Sequence, residues 1–176
     1  MKKFIMNGVE AESCGLIARR DRSEIYKVKW QEKFYCWKII RDDERFTYTY
    51  EQAYKNYDNL KDKSCLVMVH STWRDENGHF NILMEWLDGY RRLEYNQESF
   101  AKYCNMDAVE RNLIYQGYFI IDFAPINFMI KGNDMKMIDL DTLAKLTDFP
   151  VDPHKMIPEL SWYGSRVLKH RSGRVA

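Results

Sequence analysis

Asp122-Phe-Ala-Pro-Ile-Asn127, with Ile138-Asp139-Leu140-Asp141 placing Asp139 twelve residues after Asn127, is the stretch on which the fold turns. Around it, Tyr118-Phe-Ile-Ile121 forms an apolar run into Asp122 and Asn127-Phe-Met-Ile130 a second; Lys131-Gly-Asn-Asp134 reads as a turn and Met135-Lys-Met-Ile138 as a returning strand. Such a hairpin folds Asn127 back beside Asp139. An amide oxygen next to one or two carboxylates makes a hard-oxygen site, suited to a Mg²⁺ ion that keeps some waters and takes the rest of its shell from phosphates. Asp122, five residues before Asn127, is then left as a base or orienting group. The plainer reading is a capped hairpin with Asp139 as a turn acid, because Asp and Asn often close turns on their own backbone. The apolar surroundings of Asp139 and Asp141 favour the metal reading, since a carboxylate there is costly without a compensating cation.

Composition narrows the classes. The chain has 176 residues, 45% hydrophobic and 30% charged, enough for one packed domain. Its 27 basic and 26 acidic side chains leave a formal charge of +1, so overall charge makes no case for nucleic acid or a membrane surface. No apolar stretch is long enough to span a bilayer, and Asn7, Gly8 and Glu10 interrupt the apolar start too early for a convincing signal peptide. Cys14, Cys36, Cys65 and Cys104 form no C-x-x-C pair and the histidines fall in no ligand spacing, so reduced thiols in a cytoplasmic setting are expected.

Outward from the hairpin, Leu16-Ile17, Glu24–Trp30 and Lys33–Ile40 read as strands, with Gln31-Glu32 as a tight connection. A helix is expected over about 47–60, where Tyr50, Ala53, Tyr54 and Tyr57 recur at helical spacing. Cys65–Val69 and Phe80–Trp86 read as two more strands, joined through Asn77-Gly78, a strong hairpin signal. Helices are expected around 97–103 and 106–116, ended by Gly117, and an irregular run from Leu143 to Pro153. The basic tail from Arg166 to Arg174 reads as a solvated segment or a contact for an acidic partner.

The D-x-x-P-x-N run and the later apolar-apolar-Asp segment resemble the catalytic loop and metal-binding Asp of the protein-kinase-like superfamily. Upstream residues carry the same resemblance. Lys38, within Tyr35-Cys-Trp-Lys-Ile-Ile40, looks like the strand lysine that contacts nucleotide phosphates. Glu51 resembles the helix acid that pairs with it, with Glu44 a weaker match, and Asn81–Leu87 resembles the strand entering the hinge. The resemblance implies an α+β, compact protein-kinase-like domain over 1–176. Its small lobe, about 1–86, would be a five-stranded antiparallel sheet with one helix; a hinge at about 85–89 would lead to a reduced helical lobe at about 90–176.

Departures from the family shape the expected function. Ala18, Arg20 and Ser23 stand where a glycine-rich loop has its glycines, so side chains such as Arg20, not close backbone approach, would grip phosphate. The alternative is an exposed hairpin tip. Ile120-Ile121 replaces the usual His-Arg, so no arginine clamp for a phosphorylated loop is expected. Asp141 replaces the glycine of the metal triplet, as in sugar and small bacterial kinases, and would add a metal ligand or hold nearby backbone.

The implied function is ATP- and Mg²⁺-dependent phosphotransfer to a hydroxyl, with a protein favoured over a small molecule as acceptor. Asp122 and Lys38 would be catalytic, Asn127, Asp139 and Asp141 would hold the metal, and Lys38, Glu51, Arg20, Met84 and Trp86 would contact ATP. Lys38 also reads as a snorkelling edge lysine, Glu51 as a solvated acid, and Met84 and Trp86 as core. A pseudokinase binding module and a sugar or lipid-core kinase are the competing classes. Likeness to secreted effector kinases also leaves delivery into another cell open.

Overall fold

The computed structural model describes residues 3–6, 9–20, 22–41, 50–94 and 103–148. By its internal contacts the chain divides into two units, residues 1–47 with 67–88, and 48–66 with 89–176. The expected helix start at 47–49, the helix at 97–102, Glu44, and the whole tail from 149 lie outside the described residues.

The first unit is one antiparallel sheet. Its strands are β1 (Lys3–Met6), β2 (Val9–Arg19), β3 (Ser23–Trp30), β4 (Lys33–Ile40), β5 (Val69–Arg74) and β6 (Phe80–Glu85), in the order β1-β2-β3-β4-β6-β5. Four of the five expected strands lie where they were read, the fourth is displaced, and β1 adds a sixth at the edge. The β3–β4 turn is Gln31-Glu32, with φ of 46° and 64°. Left-handed backbone at both central positions gives a two-residue loop the twist that matches its strands. Alternation along β3 and β4 sends Tyr26, Val28, Trp37 and Ile39 to one face, where they pack with Ala11 and Leu83 as a buried cluster flanked by Trp30, Tyr35 and Trp73. Trp37 Nε1 donates to Asn81 Oδ1 at 3.0 Å, satisfying a polar group inside that cluster.

The fourth strand differs from expectation. β5 starts at Val69, and Cys65–Met68 are not part of it. Their backbone groups are engaged elsewhere: Met137 N donates to Cys65 O, Met68 N to Glu85 Oε1, and Glu85 N to Met68 O. The Asn77-Gly78 turn lies where it was expected, closed by Asp75, whose Oδ1 accepts from the backbone N–H groups of Asn77 and His79.

The second unit is built on α1 (Tyr50–Asn59), α2 (Tyr103–Tyr115) and short strands: β7 (Arg91–Arg92), β8 (Tyr118–Ile120), β9 (Phe128–Lys131), β10 (Asp134–Met137) and β11 (Leu143–Lys145). The sheets run β10-β9-β7 and β11-β8, all antiparallel. Leu143–Lys145, expected to be irregular, is a strand because its apolar residues pair with Tyr118–Ile120; Leu143 and Ala144 are fully buried. Helix α1, placed with the small lobe on sequence, groups with this unit through contacts with β11. Gly117, at φ 86°, ends α2, and just before it Gln116 Oε1 accepts from the backbone N–H groups of Lys61 and Asp62. The chain passes from the first unit to the second for the last time at Asp88/Gly89. Among the described residues, no helix is long and apolar enough to cross a membrane.

Candidate phosphotransfer site

In the second unit, β8 delivers the chain to Asp122, and a single 3-10 turn, Pro125–Asn127, reverses it into β9. Proline at the first position of that turn has its φ already set and loses no backbone donor the turn would use. Asn127 N donates to Ala124 O at 2.9 Å. Beneath the loop, the rings of Phe123 and Phe128 meet edge to face at 5.3 Å, both buried. The polar side chains above therefore stand on a packed base.

Asn127 is only 3% exposed. Its Nδ2 donates to Asp122 O at 2.9 Å and lies 3.4 Å from Asp122 Oδ2. With the amide nitrogen turned to Asp122, Oδ1 is directed away from it as an acceptor. Across the hairpin, Phe128 pairs with Met137, and Ile138 N donates to Asn127 O at 2.8 Å. Asp139 is thus the residue immediately after the backbone partner of Asn127. The donor types, an amide oxygen and a carboxylate, fit a hard cation whose shell is completed by phosphates and water. No three His, Cys, Asp or Glu side chains among the described residues converge into an all-protein metal cage.

Asp122 is exposed. Its backbone is fixed from the far side: Asp122 N donates to Thr142 Oγ1 at 3.1 Å, and Ile121 N to Thr142 O at 3.3 Å. Asp141 accepts a hydrogen bond at Oδ1 from Tyr54 Oη, 3.0 Å away on α1. Asn56, two residues on, donates from Nδ2 to Leu143 O at 3.0 Å. Sequence reasoning passed over Tyr54, Asn56 and Thr142 as site residues. Only the placement of Thr142 directly after Asp141 hinted at one of them.

In the first unit, Lys38 pairs across β4 with Ile25 on β3 and Ile82 on β6, and is 6% exposed. Cys36 and Met84 are likewise paired, which puts Cys36, Lys38, Ile82 and Met84 on one sheet face. That face is the reverse of the one packing Trp37 and Leu83. Burial pushes the Cys36 thiol up to about 11, against the opposing pull of the Lys38 charge, so it stays a neutral apolar neighbour. Lys27 Nζ lies 4.4 Å from the Trp86 ring centre and 4.2 Å from that of Phe34, so one face of Trp86 is taken by a cation.

Arg20 is exposed beyond the end of β2, its backbone N donating to Ser23 O at 2.8 Å. Neighbouring Arg19 instead pairs with the buried Glu24 at 3.2 Å, joined there by Arg41 at 3.1 Å. Glu51, in the first turn of α1, belongs to the second unit and Lys38 to the first.

No protein-family model matches the chain, and no curated protein is significantly similar to it in sequence. Among solved structures it is similar to the crystal structure of the BubR1 kinase domain, with a TM-score of 0.64 and 15% identity. The match covers 85% of this chain and 52% of that one, so the chain spans about half the length of the kinase domain it matches. The chain has a protein-kinase-like α+β fold.

Proposed function

We propose that the protein is an ATP- and Mg²⁺-dependent phosphotransferase that moves the γ-phosphoryl group to a hydroxyl, most simply a serine/threonine protein kinase of reduced size. The observation that supports this reading is that Asn127 Nδ2 donates to Asp122 O and lies 3.4 Å from Asp122 Oδ2, which leaves the amide oxygen of Asn127 as an acceptor for a metal.

In this reading Asn127 Oδ1 and the Asp139 carboxylate would hold the ion. Bound Mg²⁺ would neutralise charge on the phosphates and leave the chain little covalent chemistry to perform. Lys38 and Arg20 are the side chains assigned to phosphate oxygens, and Glu51 is assigned to the nucleotide with them. Met84 and Trp86 contact the adenine ring. Asp122 takes the proton from the acceptor hydroxyl as its oxygen bonds to phosphorus and the bond from phosphorus to the ADP oxygen breaks. Catalysis then rests on positioning more than on a strong base.

The test is to incubate the full chain with MgATP and, separately, a generic serine/threonine protein mixture and a set of sugars, reading phosphorylated products by mass spectrometry. Phosphoserine or phosphothreonine is the expected product. Phosphosugar alone would make it a small-molecule kinase, and nucleotide binding with no product would make it a pseudokinase acting by binding.

A further inference from the structure

Helix α1 is amphipathic with an unusual inner face. Ala53, Tyr54, Asn56 and Tyr57 are all buried, and three of these four carry polar groups, among them the Tyr54 hydroxyl and the Asn56 amide. Burying a hydroxyl and an amide is costly unless each is bonded. Both are bonded to the same short segment: Tyr54 Oη to Asp141 Oδ1, and Asn56 Nδ2 to Leu143 O. Gln52 Nε2 donates to Asn56 Oδ1 at 3.1 Å, fixing which way the amide points. The middle residue of the segment, Thr142, receives the backbone N–H groups of Ile121 and Asp122. The short segment Asp141-Thr142-Leu143 is therefore hydrogen-bonded on one side to α1 and on the other to the backbone of Ile121 and Asp122. Leu140, fully buried, and the Leu143 N to Leu140 O turn at 3.0 Å anchor the start of the segment next to Asp139.

From this geometry we infer that Tyr54 is a positioning residue for the metal segment, and that Asp141 serves as its hydrogen-bond acceptor and not as a metal ligand. Tyr54 is 2% exposed. Its hydroxyl fixes the carboxylate two residues beyond Asp139, and so fixes the peptide run that sets the direction of the Asp139 side chain. Asp141 at this position makes the link available to a helix; a glycine would offer no acceptor. The inference rests on the proposed metal-dependent function.

It is tested by direct ion binding with the full chain, using Mn²⁺ as the probe in the presence of a non-hydrolysable ATP analogue, read by electron paramagnetic resonance. Folding is checked in parallel by circular dichroism and thermal unfolding. Tyr54→Phe keeps the ring and removes the donor; Asp141→Asn keeps an acceptor oxygen and removes the charge. Tyr54→Phe is expected to weaken Mn²⁺ binding about tenfold, the scale of one hydrogen bond to a charged group, while Asp141→Asn stays within about twofold of the native chain. Native affinity in Tyr54→Phe, whether or not its unfolding temperature falls, would overturn the inference. So would a loss in Asp141→Asn equal to or larger than that in Tyr54→Phe, which would make Asp141 a ligand. A native chain that binds no Mn²⁺ with the analogue would instead remove the proposed function, and this inference with it.

Discussion

Asn127 Nδ2 and the main-chain oxygen of Asp122 lie 2.9 Å apart, so a buried amide holds the backbone of an exposed acid. The bond closes the loop from inside. It also divides the two ends of the amide between two tasks, the nitrogen for the loop and the oxygen for whatever approaches.

Replacing Asn127 with Ala should therefore act on stability as well as on the site. Loss of a buried side-chain to main-chain bond is expected to cost about 1–3 kcal/mol, measurable by urea unfolding. Mn²⁺ affinity in the presence of an ATP analogue should fall in the same variant. An unfolding midpoint equal to that of the native chain would show that the loop is held by Phe123 and Phe128 alone.

Asn81 carries a comparable role in the first unit. Its Oδ1 accepts from Trp37 Nε1 and its Nδ2 donates to His79 O at 2.9 Å, tying the aromatic cluster to the β5–β6 turn. Asn81→Leu strands the indole N–H and is expected to cost about 1–3 kcal/mol. Near-ultraviolet circular dichroism should weaken as Trp37 loses its fixed surroundings, and an unchanged spectrum and midpoint would refute this account.

Glu110 should give the chain a pH-dependent stability. Met106, Val109, Glu110 and Leu113 are the buried face of α2, and burial, with the nearby Asp107 charge, pushes the Glu110 carboxyl up to about 7 from 4.5. A raised acid binds its proton more tightly in the folded chain, so its contribution is complete below pH 4.5 and declines as pH rises towards 7. The slope inside that window is roughly 1.4 kcal/mol per pH unit. Glu110→Gln should stabilise the chain at pH 8 by about 3 kcal/mol and flatten its stability between pH 5 and 7, as followed by urea unfolding across pH. Parallel curves for variant and native chain would contradict this.

These cases show which parts of the molecule were legible in the sequence. The β3–β4 hairpin was readable although Gln31 and Glu32 are poor residues for left-handed backbone, because alternation on both sides left only two residues for the turn. The Asp122–Asp139 hairpin was readable from its turn and flanking runs. Strand β7 was not, since two arginines carry no period and their pairing with β9 is set by tertiary contact. Tyr54 and Asn56 were equally opaque: a tyrosine at helical spacing reads as core, and nothing local says that its hydroxyl meets an acid 87 residues away. Glu110 looks like a surface acid until the helix face it occupies is seen to be buried.

Arg20 separates the two readings of its hairpin. Arg19 is already paired with Glu24, whereas Arg20 is exposed. Arg20→Ala is expected to weaken ATP binding about three- to tenfold by calorimetry, as loss of a partly screened contact to phosphate would, with little change in unfolding midpoint. An unchanged dissociation constant would make Arg20 a solvated hairpin tip.

The central claim is that this chain transfers a phosphoryl group using Asp139. It is tested most directly by label transfer from γ-labelled ATP with Mg²⁺, comparing the native chain with Asp139→Asn on itself, a generic protein and a cell lysate. The account predicts transfer by the native chain and a loss of at least about a hundredfold in the variant, whose circular dichroism should be unchanged, because one metal-facing charge is removed with little change of shape. Equal transfer by the two would take Asp139 out of the mechanism, and no transfer by either would contradict the assignment of a phosphotransferase.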